Sequence, residues 1–266
     1  MYGRYTSEQL KKIAMGTMFL DHAAVAVIYN YGLDEMSPLL ENIGLAMRLI
    51  GRMAFPLYAF LLVQGFLYTK SWEKYAARVA LFAVISEIPY NLVAGKQLLF
   101  PEAQNTLVVL LIGLICMKLL EMVEQKFGLQ TGVSRQGTES LAGETDTGRK
   151  FLGAALMILV VATAAVAAEL LRGDYGAFGV LLILVFYLFR FRPMEQMGFG
   201  SMVLLLIYNF SLHALFAWIA IFFINRYNGE RGRKLGYLPY VFYPVHLLVV
   251  YFVGVFVAAN TYVACL

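Results

Sequence analysis

The chain has 266 residues, of which 61% are hydrophobic and 14% are charged, and its formal net charge is +4 at pH 7. Soluble domains carry about 25% charged residues, so this composition excludes an ordinary soluble protein with a polar surface. A small positive charge is usual for membrane proteins with basic loops on one side, so it does not indicate a nucleic-acid partner.

Eight apolar stretches follow one another, and several reach the roughly 20 residues that cross about 30 Å of hydrocarbon as a helix. They are residues 13–31, 45–68, 76–93, 106–120, 151–171, 175–189, 197–224 and 238–259. The first stretch contains Asp21 and His22, which the apolar core of a cleaved signal peptide would not normally contain, so it is interpreted as a retained helix. The pattern predicts an all-α, polytopic helical membrane protein.

The charges of the loops predict the orientation. Basic residues precede the first stretch and acidic residues follow it, so we expect a cytoplasmic N-terminus. Region 197–224 is too long for one ordinary span. Two short helices that turn near residues 209–213 would return the basic residues of segment 226–234 to the cytoplasm. We therefore expect about nine spans in one domain (1–266), a flexible cytoplasmic loop at about 121–150, and the C-terminus outside.

Ionisable side chains inside hydrocarbon are costly and mark candidate functional sites. In the predicted spans they are Asp21, His22, Arg48, Arg52, Arg78, Glu87 and His246, with Asp174 at the turn between the fifth and sixth spans. Arg48 and Arg52 are four residues apart, so both project from one helix face toward the same carboxylate or substrate anion. A structural clamp on Asp21 or Glu87 and a direct substrate role both remain open.

Helical geometry separates the members of the Asp21-His22 pair. Neighbours in sequence point about 100° apart, so Asp21 is expected to pair with Arg52 or another helix. Lys11 and His22 share a face and lie roughly 16 Å apart along the axis. The pantetheine arm of coenzyme A has a similar reach, so phosphates near Lys11 and Lys12 would place a thioester at His22. A simple positive-inside anchor is the alternative interpretation of Lys11.

The last predicted span contains a second intramembrane histidine, His246, two residues after Pro244. Proline removes a helical hydrogen bond, so we expect a kink that opens backbone polarity to a cavity. Tyr243 and His246 share a face. His246 is either a hydrogen-bonded strut or a catalytic group, whereas His213, at a predicted outer turn, is expected to be solvated.

Four strings resemble the TraX family, which is named for a protein linked to N-terminal acetylation of F-pilin. They are KKIAMGTMFLDHAA, RLIGRMAFPLYAFLLVQGFLYTKSWEKYAARVALFAVISEIPYNL, LLRGDYGAFGVLLILVFYLF and YVFYPVHLLVVYF. The family is distantly similar to transmembrane acyltransferases of the acyltransferase-3 and heparan-glucosaminide N-acetyltransferase type. In those, a basic or polar residue recurs eleven positions before an intramembrane histidine, and Lys11 and His22 match that spacing.

The resemblance implies transfer of an acetyl group from cytoplasmic acetyl-CoA to an acceptor at the membrane or its outer face. The acceptor would be an amine or hydroxyl of a peptide N-terminus, a glycan or a small molecule. We expect His22 to be the general base. His246 would relay the proton or hydrogen bond to the oxyanion, and Asp21 or Glu87 would orient an imidazole.

The remaining expected site residues bind the two substrates. The substrate-binding candidates are Arg48, Arg52, Asn91, Asp174 and Tyr243, the acetyl-CoA-binding candidates are Lys11 and Lys12, and no metal is expected. An ion-coupled transporter would also place Asp, Glu, His and Arg at mid-membrane, but usually with repeats and glycine-broken helices, which the sequence lacks. A non-catalytic scaffold would need these charges only for packing.

Overall fold

The computed structural model describes residues 3–129 and 147–264, apart from the side chains of residues 34, 36 and 262–264. The regular structure of this part of the chain is helical, which confirms the predicted all-α class. Its only β-type pairings are two isolated parallel bridges, one between Tyr5 and Tyr227 and one between Gln104 and Gly173.

Within the described residues, eleven α-helices follow in chain order. The first, α1 (Ser7–Ala23), continues through a π-helical turn (Ala24–Ile28) and a 3-10 turn (Tyr29–Tyr31). The others are α2 (Leu33–Met36), α3 (Pro38–Gly51), α4 (Ala54–Tyr68), α5 (Trp72–Ala94), α6 (Thr106–Phe127), α7 (Thr147–Leu170), α8 (Gly176–Leu188), α9 (Pro193–Ile207), α10 (Leu212–Asn225) and α11 (Leu238–Ala264). Counting α1 with its two turns as one segment and α3 with α4 as another, nine segments traverse the described bundle, as predicted.

Six of the nine segments are long and apolar enough to cross a membrane. The exceptions are α8, α9 and α10, which are apolar but have only 13, 15 and 14 residues, fewer than the roughly 20 that a full span needs. The predicted division of region 197–224 is confirmed, because α9 and α10 are separate helices. Between them, Asn209 and Phe210 turn the chain in the left-handed region, with φ of 49° and 56°.

Residues 121–127 of the loop predicted at about 121–150 are helical, because α6 continues to Phe127, and residues 147–150 belong to α7. The rest of that loop, residues 130–146, lies outside the described residues. Glu, Lys, Gln and Met are good helix formers, and Leu120, Glu124 and Phe127 are buried at helical spacing. Within residues 121–127, Gln125 and Lys126 lie on the exposed side of this helix, which ends at Phe127 and is followed by Gly128, where φ is 62°.

The start of α1 and the loop before α11 form one end of the bundle, here called the N-terminal face. A capping box begins α1, because the Thr6 hydroxyl accepts from the backbone of Gln9 and the Gln9 side chain accepts from the backbone of Thr6. The loop packs against this turn, with the Ser7 N–H donating to the Glu230 carbonyl at 2.9 Å.

The largest buried cluster is built around α4 and α8, whose apolar residues are buried on nearly all sides. A smaller cluster lies where α1, α5 and α11 meet, and it includes Met18, Val93, Tyr243 and Leu247. Since α11 packs against both α1 and α5, the two intramembrane histidines are brought together beside this smaller cluster.

Candidate functional site

His22 of α1 and His246 of α11 are in direct contact although they are 224 residues apart. Nδ1 of His22 lies 2.7 Å from Nε2 of His246, and the two rings stack with centroids 5.0 Å apart. Nδ1 of His246 lies 2.8 Å from the carbonyl oxygen of Phe242, one helical turn earlier. The histidine pair is therefore anchored to the α11 backbone.

The direction of these hydrogen bonds assigns the tautomers of two neutral rings. A carbonyl oxygen can only accept, so Nδ1 of His246 carries the hydrogen and Nε2 of His246 is an acceptor. His22 must then donate from Nδ1, which leaves the lone pair on its Nε2. That nitrogen makes no hydrogen bond within residues 3–129 and 147–264. His22 thus has the form of a general base, and both nitrogens of His246 are already engaged.

Asp21 points away from the histidines and is held by the two arginines of the second segment. Nη1 of Arg48 donates to Asp21 at 2.6 Å, Nη2 of Arg52 donates to its other carboxylate oxygen, and Nε of Arg52 donates to the carbonyl of Arg48 at 3.1 Å. The predicted pairing of Asp21 with Arg52 is confirmed. Gly51 makes this approach feasible, since a Cβ there would collide with the Asp21 side chain.

Glu87 does not join this cluster, contrary to one predicted alternative. The amide of Asn105, at the start of α6, donates to Glu87 and also to the carbonyl of Ala83 at 2.9 Å. The predicted orienting role of Asp21 or Glu87 needs correction, because neither acid hydrogen bonds to an imidazole among the described residues. His246 and the Phe242 carbonyl orient the imidazole of His22 instead, because the helix that contacts His22 is α11 and not a helix that supplies an acidic side chain.

Asn91, an expected substrate-binding residue, hydrogen bonds to the loop between α5 and α6. Its side-chain amide is buried and donates to the carbonyl of Leu98 at 3.1 Å, so it closes the connection between α5 and α6. His213 is also apart from the histidine pair: its ring lies 3.4 Å from the Ser211 hydroxyl and stacks against Tyr208. It is half-buried, so the expectation of a solvated histidine is only partly met.

A cavity of about 570 Å³, here called the inner cavity, runs into the bundle from the N-terminal face. Its deep end is lined by Tyr58 and Tyr243, and the ring of Tyr243 meets that of His22 edge-on with centroids 6.2 Å apart. Lys11 lines the cavity. Lys12 does not: it is exposed and pairs with Glu8 at 2.6 Å, because it lies about 100° further around α1.

The rest of the cavity's basic lining was not among the expected site residues. It consists of Lys70, Arg78, Arg231 and Arg233. Two of these belong to the loop before α11, which reaches the cavity because its backbone bonds to the first turn of α1, as in the 3.1 Å bond from the Glu8 N–H to the Arg231 carbonyl. A basic, glycine-rich segment, NGERGRKLG, was the signal in the sequence.

A second cavity, of about 400 Å³, lies at the opposite face and is here called the outer cavity. Arg52, Asp174, Tyr175 and Tyr208 line it, so it borders the Asp21–arginine cluster. Burial in this cavity wall raises the pKa of Asp174, whose carboxylate accepts from the hydroxyl of Thr106 at 2.9 Å. Two of the expected substrate-binding residues therefore share one cavity.

Thr106 lies in the wall between the two cavities. Its hydroxyl donates to Asp174 on the outer side, and it also lies close to the hydroxyl of Tyr243, which lines the inner cavity.

The π-helical turn Ala24–Ile28 follows the Asp21-His22 pair just after the end of α1. Such turns are rare in proteins as a whole, but those that occur are frequently at functional sites. Here the π-helical turn interrupts the regular helix just beyond the histidine.

Sequence comparison relates nearly the whole chain to known proteins. The family model described as TraX protein matches residues 6–254. The probable fimbrial assembly protein FimC, serogroup H1, of Dichelobacter nodosus is 27% identical over 261 residues, which cover 91% of this chain and 93% of the relative. No solved structure matches the chain. Because the matched residues run from the capping turn of α1 into the second half of α11, the chain belongs to the TraX family.

Proposed function

We propose that the protein is a membrane-bound acyltransferase that moves an acetyl group from acetyl-CoA to an amine or hydroxyl acceptor, with His22 as the general base. The observation that carries this proposal is the inner cavity. It joins a group of cationic side chains at the N-terminal face to Tyr243, whose ring touches that of His22.

The residues of the inner cavity suit coenzyme A. Its phosphates would meet Lys11, Lys70, Arg78, Arg231 and Arg233, while tyrosine and leucine side chains line the passage for the uncharged pantetheine arm. Lys11 and His22 are roughly 16 Å apart along α1, which matches the reach of that arm. Bound acetyl-CoA supplies an activated acetyl thioester, and the distribution of charge would hold its reactive end near the histidine pair.

The histidine pair can then perform the proton transfers of acyl exchange. As the acceptor nitrogen or oxygen bonds to the acetyl carbon, Nε2 of His22 takes the proton of the acceptor. When the carbon–sulfur bond breaks, the same nitrogen returns that proton to the departing sulfur. His246 holds His22 in the required tautomer through the 2.7 Å hydrogen bond. Direct transfer of this kind needs no acyl-histidine intermediate.

The outer cavity is the candidate site for the acceptor. By the positive-inside rule the N-terminal face would be cytoplasmic, so acetyl-CoA would enter from the cytoplasm and the acceptor from the other side. Thr106 lies close to a lining residue of each cavity, Asp174 of the outer one and Tyr243 of the inner one. The similarity to a probable fimbrial assembly protein supports including the N-terminal amine of a pilin subunit among the acceptors tested.

Purified protein in nanodiscs, incubated with labelled acetyl-CoA and candidate acceptors, tests the proposal. We expect transfer of label that His22→Ala abolishes and His213→Ala does not, since His213 lies outside the histidine pair. Absence of thioester turnover with every acceptor, or turnover unaffected by His22→Ala, would contradict it. Cavities at opposite faces are also what an ion-coupled transporter would need, so acetyl-CoA-independent flux in proteoliposomes is the measurement that favours that alternative.

A further inference from the structure

Two buried hydroxyl groups at the deep end of the inner cavity lack hydrogen-bond partners. The hydroxyls of Tyr58 and Tyr243 are inaccessible, and neither makes a hydrogen bond of normal geometry in the described part of the chain. A buried polar group that is left without a partner destabilises the protein, and such groups are rare in native structures. A ligand that accepts hydrogen bonds at this position would remove that destabilisation.

These tyrosines come from different helices and converge beside the histidine pair. Tyr58 lies on α4 and Tyr243 on α11, both line the inner cavity, and both contact the smaller buried cluster. Tyr243 is only 4% exposed, and its ring centroid lies 5.7 Å from that of His246 and 6.2 Å from that of His22. Tyr243 is therefore both a lining residue of the inner cavity and a ring contact of His22.

His246 cannot serve as the oxyanion donor that one sequence interpretation assigned to it. Its Nδ1 donates to the Phe242 carbonyl and its Nε2 accepts from His22, so no N–H of His246 points into the cavity. An acyl transferase nevertheless needs donors for the negative charge that develops on the carbonyl oxygen. The hydroxyls of Tyr58 and Tyr243 belong to residues that line the inner cavity, and neither makes a hydrogen bond of normal geometry in the described residues.

We propose that the hydroxyls of Tyr58 and Tyr243 donate hydrogen bonds to the carbonyl oxygen of the acetyl thioester. The inference rests on the proposed acyltransferase function and names two catalytic residues for it. As the acceptor atom bonds to the carbonyl carbon, the carbonyl π electrons move onto oxygen, where the two O–H groups stabilise them. The charge returns to the carbonyl when the carbon–sulfur bond breaks, while His22 carries the proton from acceptor to sulfur.

The first test compares Tyr243→Phe, Tyr58→Phe and a control at an exposed tyrosine, Tyr237→Phe. Tyr237 is 61% exposed, directly precedes α11 and is not among the described residues that line either cavity. Loss of one oxyanion donor costs about 10²–10³-fold in kcat. We expect losses of that order for Tyr243→Phe and Tyr58→Phe, little change in the KM for acetyl-CoA, and no change for Tyr237→Phe.

The second test measures the contact directly, without turnover. In the His22→Ala background, bound acetyl-CoA labelled with ¹³C at the carbonyl should show a lower carbonyl stretching frequency than free acetyl-CoA, and Tyr243→Phe should reverse part of that shift. If a phenylalanine variant fails to fold, the difference in carbonyl stretching frequency between bound and free acetyl-CoA in the His22→Ala protein still tests whether the carbonyl accepts hydrogen bonds. An unshifted carbonyl, or kcat retained in both phenylalanine variants, would overturn the oxyanion role.

The two tests separate this inference from the proposed function. Acetyl transfer that depends on His22 but not on either tyrosine refutes the oxyanion role and leaves the acyltransferase intact. Absence of acetyl-CoA turnover and of acetyl-CoA binding refutes both.

Discussion

The proposed roles of the two histidines, His22 as the general base and His246 as the residue that positions it, can be tested quantitatively with His22→Ala and His246→Ala. His22 holds the lone pair that would take the proton, so its removal should cost the full contribution of a general base, about 10²–10⁴-fold in kcat. His246 acts on that base through one hydrogen bond, with 2.7 Å between the two nitrogens. The second substitution should therefore cost much less.

The smaller loss can be estimated from that hydrogen bond. A hydrogen bond contributes about 0.5–1.5 kcal/mol, and each 1.36 kcal/mol is worth a factor of about ten in rate. Loss of the bond that selects the His22 tautomer should reduce kcat by roughly 2- to 13-fold. Packing beside the smaller buried cluster would also loosen, so thermal unfolding of each variant must be recorded to compare only folded protein.

The assay is the initial rate of label transfer from acetyl-CoA in nanodiscs at saturating acetyl-CoA. His213→Ala serves as the control, because His213 contacts Ser211 and Tyr208 and not the histidine pair. We expect the order of losses to be His22→Ala, then His246→Ala, then the control. A loss for His246→Ala equal to or larger than that for His22→Ala would refute the tautomer assignment and make His246 the base.

Two further predictions concern charge. Asp21→Asn leaves the guanidinium groups of Arg52, whose side chain is 12% exposed, and Arg48, whose side chain is 30% exposed, without their carboxylate. Breaking a fully buried ion pair costs about 3–5 kcal/mol, so the free energy of unfolding, measured by denaturant titration in micelles, should fall by no more than that. Replacing Arg48 and Arg52 with Met in the same variant should recover most of the loss, and failure to do so would refute the charge explanation. Lys11→Gln should weaken coenzyme A binding, measured by calorimetry, at least about tenfold, because a hydrogen bond to a charged group is worth about 1.5–3 kcal/mol. The matched Lys12→Gln variant should bind normally, and equal weakening in both would contradict the cavity geometry.

Much of the helical architecture was predictable from local pattern. Apolar length and loop charge predicted nine segments and the division of region 197–224, and both are confirmed. Helix ends were less predictable: α3 begins at Pro38, where the chain is not yet uniformly apolar, because proline suits the first turn of a helix. The helical continuation of α6 to Phe127 was missed because its exposed side is charged.

Within the site, predictability followed how local each interaction is. The clamp on Asp21 was predictable, since two arginines four residues apart inside a span require a nearby acid. The partner of Glu87 was not, because a neutral amide such as that of Asn105 leaves no charge pattern. The basic lining of the inner cavity was missed because it depends on backbone hydrogen bonds between the first turn of α1 and a loop more than 200 residues later.

The sequence by itself predicted a helical membrane protein with His22, His246, Asp21 and an arginine pair within its apolar segments. These are consequences of the free energy of transferring each side chain into hydrocarbon and of helical periodicity, which act residue by residue. Only the tertiary structure decided that the histidines touch, which tautomer each adopts, and that a cavity reaches Tyr243 beside them. Those properties depend on how α1, α4 and α11 rotate and pack against one another, and a short-range sequence pattern does not specify the relative rotation of helices.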